Sequence, residues 1–184
     1  MCIRDSVCRP RDLGGLGIYN LVILGWALQI RWLWLKKTQP NRLWPVMQVK
    51  IHPNVVAMFA ASVVSIVGDD NTTVFWTDRW LQGNSVDNLA PALISHVPKQ
   101  IQSRRTVKEA LTSQRGIDDI RGILPSRAFL EFILIWDLVQ NVQLLNGMED
   151  QHIWSLTASG VCSSRSAYAQ FFLGTVSFGP TPRI

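Results

Sequence analysis

The sequence predicts a mainly helical α+β chain with one or two small β-hairpins. Three observations carry that expectation. Two long apolar stretches, residues 20–37 and 126–140, have helical start and stop signals at their ends. Two β-branched runs, 62–67 and 72–76, flank the turn-forming residues Gly68, Asp69, Asp70 and Asn71. Thr106 and Glu109 stand in the T-x-x-E spacing of a capping box, just before Ala110 and Leu111.

The elements follow in order. Residues 1–19 are polar, basic and glycine-rich. Gly14, Gly15 and Gly17 lack the full spacing of a phosphate-cradling loop and read as a turn. Asn20 is suited to cap the helix that follows. Leu21, Leu24, Ala27 or Leu28, and Arg31 or Trp32 lie at helical spacing, and Trp26, Leu33 and Leu35 make the segment apolar nearly all round. Lys36 and Lys37 complement the dipole at its C-terminus, and Pro40 lies beyond. A second helix is expected after Pro53, with proline in its first turn. Residues 62–81 are expected to form a hairpin, and 82–103 a loop. A short helix from Thr106 to about Ser113 and another within "IDDIRGIL" come next. Pro125-Ser126 then opens a strongly apolar helix. "HIWSLTASGVCS" suggests a second hairpin turning at Ser159-Gly160. "SRSAYAQFF" starts a final helix, and the last ten residues read as a frayed end. No internal repeat is visible.

The composition narrows the class. The chain has 184 residues and is 47% hydrophobic, which allows a substantial core and argues against disorder. Eight tryptophans imply a bulky core or one completed by a partner. The net charge of +5 is unevenly placed. Residues 1–50 hold eight basic and two acidic side chains, and the rest hold ten basic and eleven acidic ones. Such asymmetry fits contact with a polyanion, although from charge alone a solvated basic face is the favoured reading. Cys2, Cys8 and Cys162 contain no CxxC pair, so no disulfide framework is indicated, and free thiols fit a reducing compartment. No zinc-ligand set or cofactor motif is found. The longest uncharged apolar run, 18–30, is too short to span a bilayer.

Asp69-Asp70 could be a metal-holding pair for phosphoryl transfer or the tip of a turn. A two-metal site needs a further carboxylate from a separate strand. The only acids upstream are Asp5 and Asp12, in the glycine-rich segment, so the turn is the better reading and no catalytic or metal residue is assigned. In "FWTDRW", Trp76 and Trp80 are read as packing residues, with base stacking beside Arg79 as the functional alternative. Arg104-Arg105 precede a helix start, where a phosphate could meet both amides and guanidinium groups. No spacing marks a Ser-His-Asp triad.

Five segments occur in a set order: "VCRPRDLGGLGIYNLVILGWALQIRWLWL", "VGDDNTTVFWTDRWL", "LAPALISHVP", "RRTVKEAL" and "WSLTASGVCSSRSAY". Together they resemble the C-terminal portion of plant LINE-type (non-LTR) retrotransposon reverse-transcriptase polyproteins, where it runs into the reverse transcriptase zinc-binding region. The resemblance covers residues 7–174. It implies that the polymerase aspartates lie upstream and the Cys/His zinc ligands downstream. For a complete element of this kind it also implies nucleus and cytoplasm; the compartment of this chain is not readable from the sequence. The family's glycine-aspartate-glycine turn is replaced here by Gly68-Asp69-Asp70-Asn71. The first six residues, "MCIRDS", fit neither pattern and resemble a translated cloning adaptor.

The expected organisation is a non-native leader at 1–6, a basic Trp-rich helical segment at 7–61, a hairpin at 62–81, and a loop with short helices and an apolar helix at 82–148. Residues 149–184 start a truncated zinc-binding-like region. The expected function is non-catalytic, assisting template RNA or target DNA holding beside a missing upstream reverse transcriptase domain. Arg31, Lys36, Lys37, Arg79, Arg104 and Arg105 are the candidate phosphate contacts, with no cofactor and no membrane. The alternative is a protein-interaction or scaffold module docking through the Trp-rich helix. A peripheral membrane role for residues 20–37 suffers from the lack of a broad polar face.

Overall fold

The computed structural model describes residues 8–11, 14–42, 49–68, 72–112, 115–142, 144 and 147–172. The chain is mainly helical, with one small two-stranded antiparallel sheet. Among the described residues the elements are α1 (Leu21–Thr38), α2 (Pro53–Ser62), β1 (Val63–Ile66), α3 (Val86–Leu89), α4 (Pro91–Ile94), α5 (Lys99–Gln102), α6 (Val107–Thr112), α7 (Arg115–Asp118), α8 (Ser126–Gln140), β2 (Gln151–Trp154) and α9 (Ser164–Gln170). They form two compact units. One comprises Met1–Phe59 with Leu156–Ile184, and the other is Ala60–Ser155. The boundaries therefore differ from the consecutive segments expected from the sequence. Distant parts of the chain supply each other's packing partners.

In the first unit α1 packs against α9. Asn20 caps α1 as the sequence suggests, its Oδ1 accepting from the amides of Val22 at 3.0 Å and Ile23 at 3.4 Å. The amide of Asn20 donates to the Tyr168 hydroxyl at 3.0 Å, so the cap is itself held by α9. Ala27, Ile30 and Trp34 form the buried stripe of α1. Lys36 and Lys37 occupy its last turn, and the amide of Gln39 closes it onto Leu35. Ser163 and Ser166 cap α9 reciprocally. The glycine-rich turn before α1 spends its amides on its own carbonyls, from Gly14 to Arg11, Gly15 to Pro10 and Gly17 to Arg9. These three glycine amides are therefore not free to cradle a phosphate.

In the second unit β1 pairs with β2, Val63 facing Trp154 and Ile66 facing Gln151. This corrects the hairpin expected over 62–81, because residues 72–76 form no strand with 63–66. Their backbone groups bond elsewhere. The amides of Thr72 and Thr73 donate to Asp150, that of Val74 to Asp78 Oδ2 at 2.7 Å, and that of Phe75 to the Arg105 carbonyl at 2.7 Å. The Asp69-Asp70-Asn71 tip lies outside the described residues. The second expected hairpin is also replaced. Its first arm is β2, bound to β1, and the segment after it closes only a local turn, with Gly160 at φ 68° donating to Thr157.

The loop expected over 82–103 contains the one-turn helices α3, α4 and α5. Pro91 starts α4, and the Glu131 carboxylate from α8 accepts from the amides of Ala92 at 2.7 Å and Leu93 at 2.9 Å. That cap comes from a residue about 40 positions away, beyond the reach of local reading. The capping box at Thr106 and Glu109 forms as expected, at 3.2 and 3.4 Å, and opens α6. α8 begins at Ser126, also as expected. The unit's core gathers Phe75, Trp76, Trp80, Leu93, Val107 and Ile135.

Candidate nucleic-acid interface

The six cations expected to meet phosphate divide evenly, with Arg31, Lys36 and Lys37 in the first unit and Arg79, Arg104 and Arg105 in the second. Three of them are engaged in holding the fold. Arg31 donates to the Cys162 carbonyl from α1. Arg79 donates through Nε to the Gly83 carbonyl at 2.8 Å and through a terminal nitrogen to that of Ala61. Arg105 forms a two-pronged bond to Asp119, at 2.7 Å from Nε and 2.6 Å from the neighbouring nitrogen, and also reaches Glu109 at 3.4 Å. The hydrogen bonds that Arg105 donates to the Asp119 carboxylate raise its pKa above the ordinary value, against the opposing effect of burial. Asp119 is only 2% exposed and also accepts from Trp76 Nε1 at 3.4 Å.

The other three sit differently. Lys36 is exposed, its ammonium 5.2 Å from the centre of the Trp32 ring, in cation–π range. Lys37 is half-buried beside it. Arg104 is exposed just before α6. Arg31, Arg79 and Arg105 are each directed to carbonyls or carboxylates of their own unit.

The aromatic segment Phe75–Trp80 belongs to the core. Trp76 is 1% and Trp80 7% exposed, so neither offers a face to a base. Trp80 Nε1 donates to the Phe75 carbonyl at 2.7 Å, and Asp78 caps the turn. Nor are the tryptophans of α1 its exposed side chains. Trp34 is buried, and Trp26 and Trp32 are half-buried. Trp26 lies against His52 and Phe171, each ring centre 5.6 Å away. The exposed apolar residues near the start of α1 are Leu16, Ile18, Tyr19, Leu21, Val22 and Leu28.

The most heavily bonded carboxylate is one the sequence did not single out. Asp150 Oδ1 accepts from the Gly68 amide at 2.8 Å. Its Oδ2 accepts from the amides of Thr72 and Thr73 at 3.2 and 2.9 Å, and from both their hydroxyls at 2.9 Å. Burial alone would raise the Asp150 pKa. The bonds from Gly68, Thr73 and Thr72 outweigh it and hold the pKa below the ordinary carboxylate value. His152, next but one along β2, has its Nδ1 2.9 Å from Ser65 Oγ and its Nε2 3.3 Å from Thr72 Oγ1. The group contains serine, histidine and aspartate but is not a triad. The carboxylate bonds Thr72 rather than the imidazole, and Ser65 is 3% exposed. Its chemistry is structural, binding both ends of the 68–72 segment to β2.

Among the described residues no group of three or more His, Cys, Asp or Glu could hold a metal ion. No described helix is long and apolar enough to cross a membrane. Comparison with known proteins gives no match: no family model fits the chain, and neither a curated protein nor a solved structure is similar to it.

Proposed function

We propose that this chain is a non-catalytic region of a retrotransposon reverse-transcriptase polyprotein that helps hold template RNA or target DNA. The observation that carries this reading is the concentration of positive charge in residues 1–50, of which Arg31, Lys36 and Lys37 stand on α1. Exposed Lys36, with Lys37, at the end of α1 supports it, and exposed Arg104 adds a second point of contact. Such contacts act as point charges on phosphate and carry no base readout.

The test is binding of the full chain to labelled single-stranded RNA and duplex DNA across a salt titration, with circular dichroism to establish folding. Binding is expected to weaken steeply with salt. Replacing Lys36→Ala and Lys37→Ala together lowers the slope by about 2 if each lysine neutralises one phosphate. A folded chain that binds neither nucleic acid at low salt overturns the proposal.

The second reading, a module docking on an upstream reverse transcriptase domain, draws on the exposed Leu21, Val22 and Leu28. It predicts that Leu21→Ser with Leu28→Ser abolishes capture by that domain and leaves salt-dependent nucleic-acid binding unchanged.

A further inference from the structure

We propose that the second unit carries a binding site for a small, neutral, flat aromatic molecule, in a cavity between α6, α7 and α8. Its volume is about 300 Å³. It opens to solvent beside the exposed Ile117, Trp136 and Gln140. An apolar cavity of about 150 Å³ accepts benzene, so this one has room for two fused rings.

The lining sets the ligand class. Among the described residues it contains no charged side chain. The nearest carboxylate to the Trp76 indole, Asp119, is already bonded to Arg105 and to that indole. An ionic ligand would have no counter-charge. The walls are aromatic. Phe75 stands edge-on to Trp76, ring centres 4.9 Å apart, and Phe132 lies within 28° of parallel to Trp136. Faces and edges so arranged suit a planar ring. Besides the indole N–H groups of Trp76 and Trp136, exposed Gln140 is the one polar side chain in the described lining. It can hydrogen-bond a single hydroxyl or carbonyl on the ligand.

Gly116 keeps the space open. A Cβ there would lie 3.5 Å from Ala110 Cβ and 3.6 Å from Phe75 Cζ, in ordinary contact, so alanine is accommodated and a longer side chain enters the cavity. This proposal is independent of nucleic-acid binding.

Calorimetric titration of the full chain with naphthalene and 1-naphthol tests it. One site per chain is expected for both. Gly116→Leu should weaken both at least tenfold with the helical spectrum kept, and Ala110→Val should act in the same direction. Gln140→Ala should weaken 1-naphthol several-fold and leave naphthalene unchanged. Should Gly116→Leu not fold, Ala110→Val decides. Absence of saturable binding by the folded wild-type chain, or undiminished binding in a folded filling variant, overturns the site. The latter result would assign the ligand to exposed apolar surface.

Discussion

The amide of Gly68 donates to the Asp150 carboxylate at 2.8 Å, and no other residue type fits where that glycine sits. A Cβ at Gly68 would collide with the Met148 carbonyl oxygen and lie 2.8 Å from the Glu149 carbonyl. Gly68 and Thr72 are thus tied to one side chain, with Thr73 completing the hold. Gly68→Ala is expected to destabilise the chain by about 1–3 kcal/mol or more, from forced backbone displacement. Asp150→Asn removes the charge and turns donor against donor, at about 1–3 kcal/mol. Urea denaturation followed by tryptophan fluorescence measures both, and an unchanged midpoint in either variant contradicts the clamp.

Acid should release the same clamp. The Asp150 pKa is lowered in the fold, and so is that of Glu131, where the Leu93 and Ala92 amides and Arg127 outweigh burial. Each contribution is complete above the unfolded pKa, about 3.9 for Asp and 4.3 for Glu, and is lost as pH falls through the lower folded value. Stability should therefore drop below about pH 4, and Asp150→Asn should flatten that fall. An identical acid profile in wild type and variant would remove Asp150 from the account.

Arg105 and Arg104 are neighbours with different duties. Removing Asp119 leaves the Arg105 charge without its main partner, and Asp119→Ala should cost on the order of 3 kcal/mol. Arg105→Lys cannot reproduce the two-pronged bond and should also lower the melting temperature. Arg104→Ala should leave melting unchanged and reduce RNA affinity. Finding the stability loss at Arg104 instead of Arg105 would reverse this assignment.

Cys162 should be chemically silent in the folded chain. Burial pushes its pKa up to about 11, with Arg31 pulling weakly the other way. The thiolate, the reactive form, is then scarce at neutral pH, and the side chain has no solvent access. Maleimide labelling at pH 7 followed by peptide mapping should modify Cys162 only after denaturation. Rapid labelling of Cys162 in the native chain would show that the α1–α9 contact opens readily.

Elements defined by local chemistry were legible in the sequence. Asn20, the Thr106–Glu109 box and the Pro125-Ser126 start are each read within a few residues, and each marks a helix in the structure. Elements defined by distant partners were not. Residues 72–76 have strand-like composition, but Asp150, Asp78 and Arg105 take their backbone groups first. Glu131 could be seen only as an interruption in an apolar helix, whereas it caps α4. The candidate cations show the same limit. Sequence gives their charge and its bias toward residues 1–50. It does not give the carbonyls and carboxylates that engage Arg31, Arg79 and Arg105.

The pairing of β1 with β2 also sets an order of events during synthesis. Val63–Ile66 has its Ser65 amide bonded to the Arg79 carbonyl at 2.9 Å, but its ladder partner Gln151–Trp154 emerges much later, and the Ser62–Ser155 bonds at 2.9 Å can only follow. Nearly all of the second unit must be translated before its two ends can meet. The edge that β2 will cover waits unpaired through that interval, so aggregation of nascent chains interrupted before residue 151 is the hazard this topology carries.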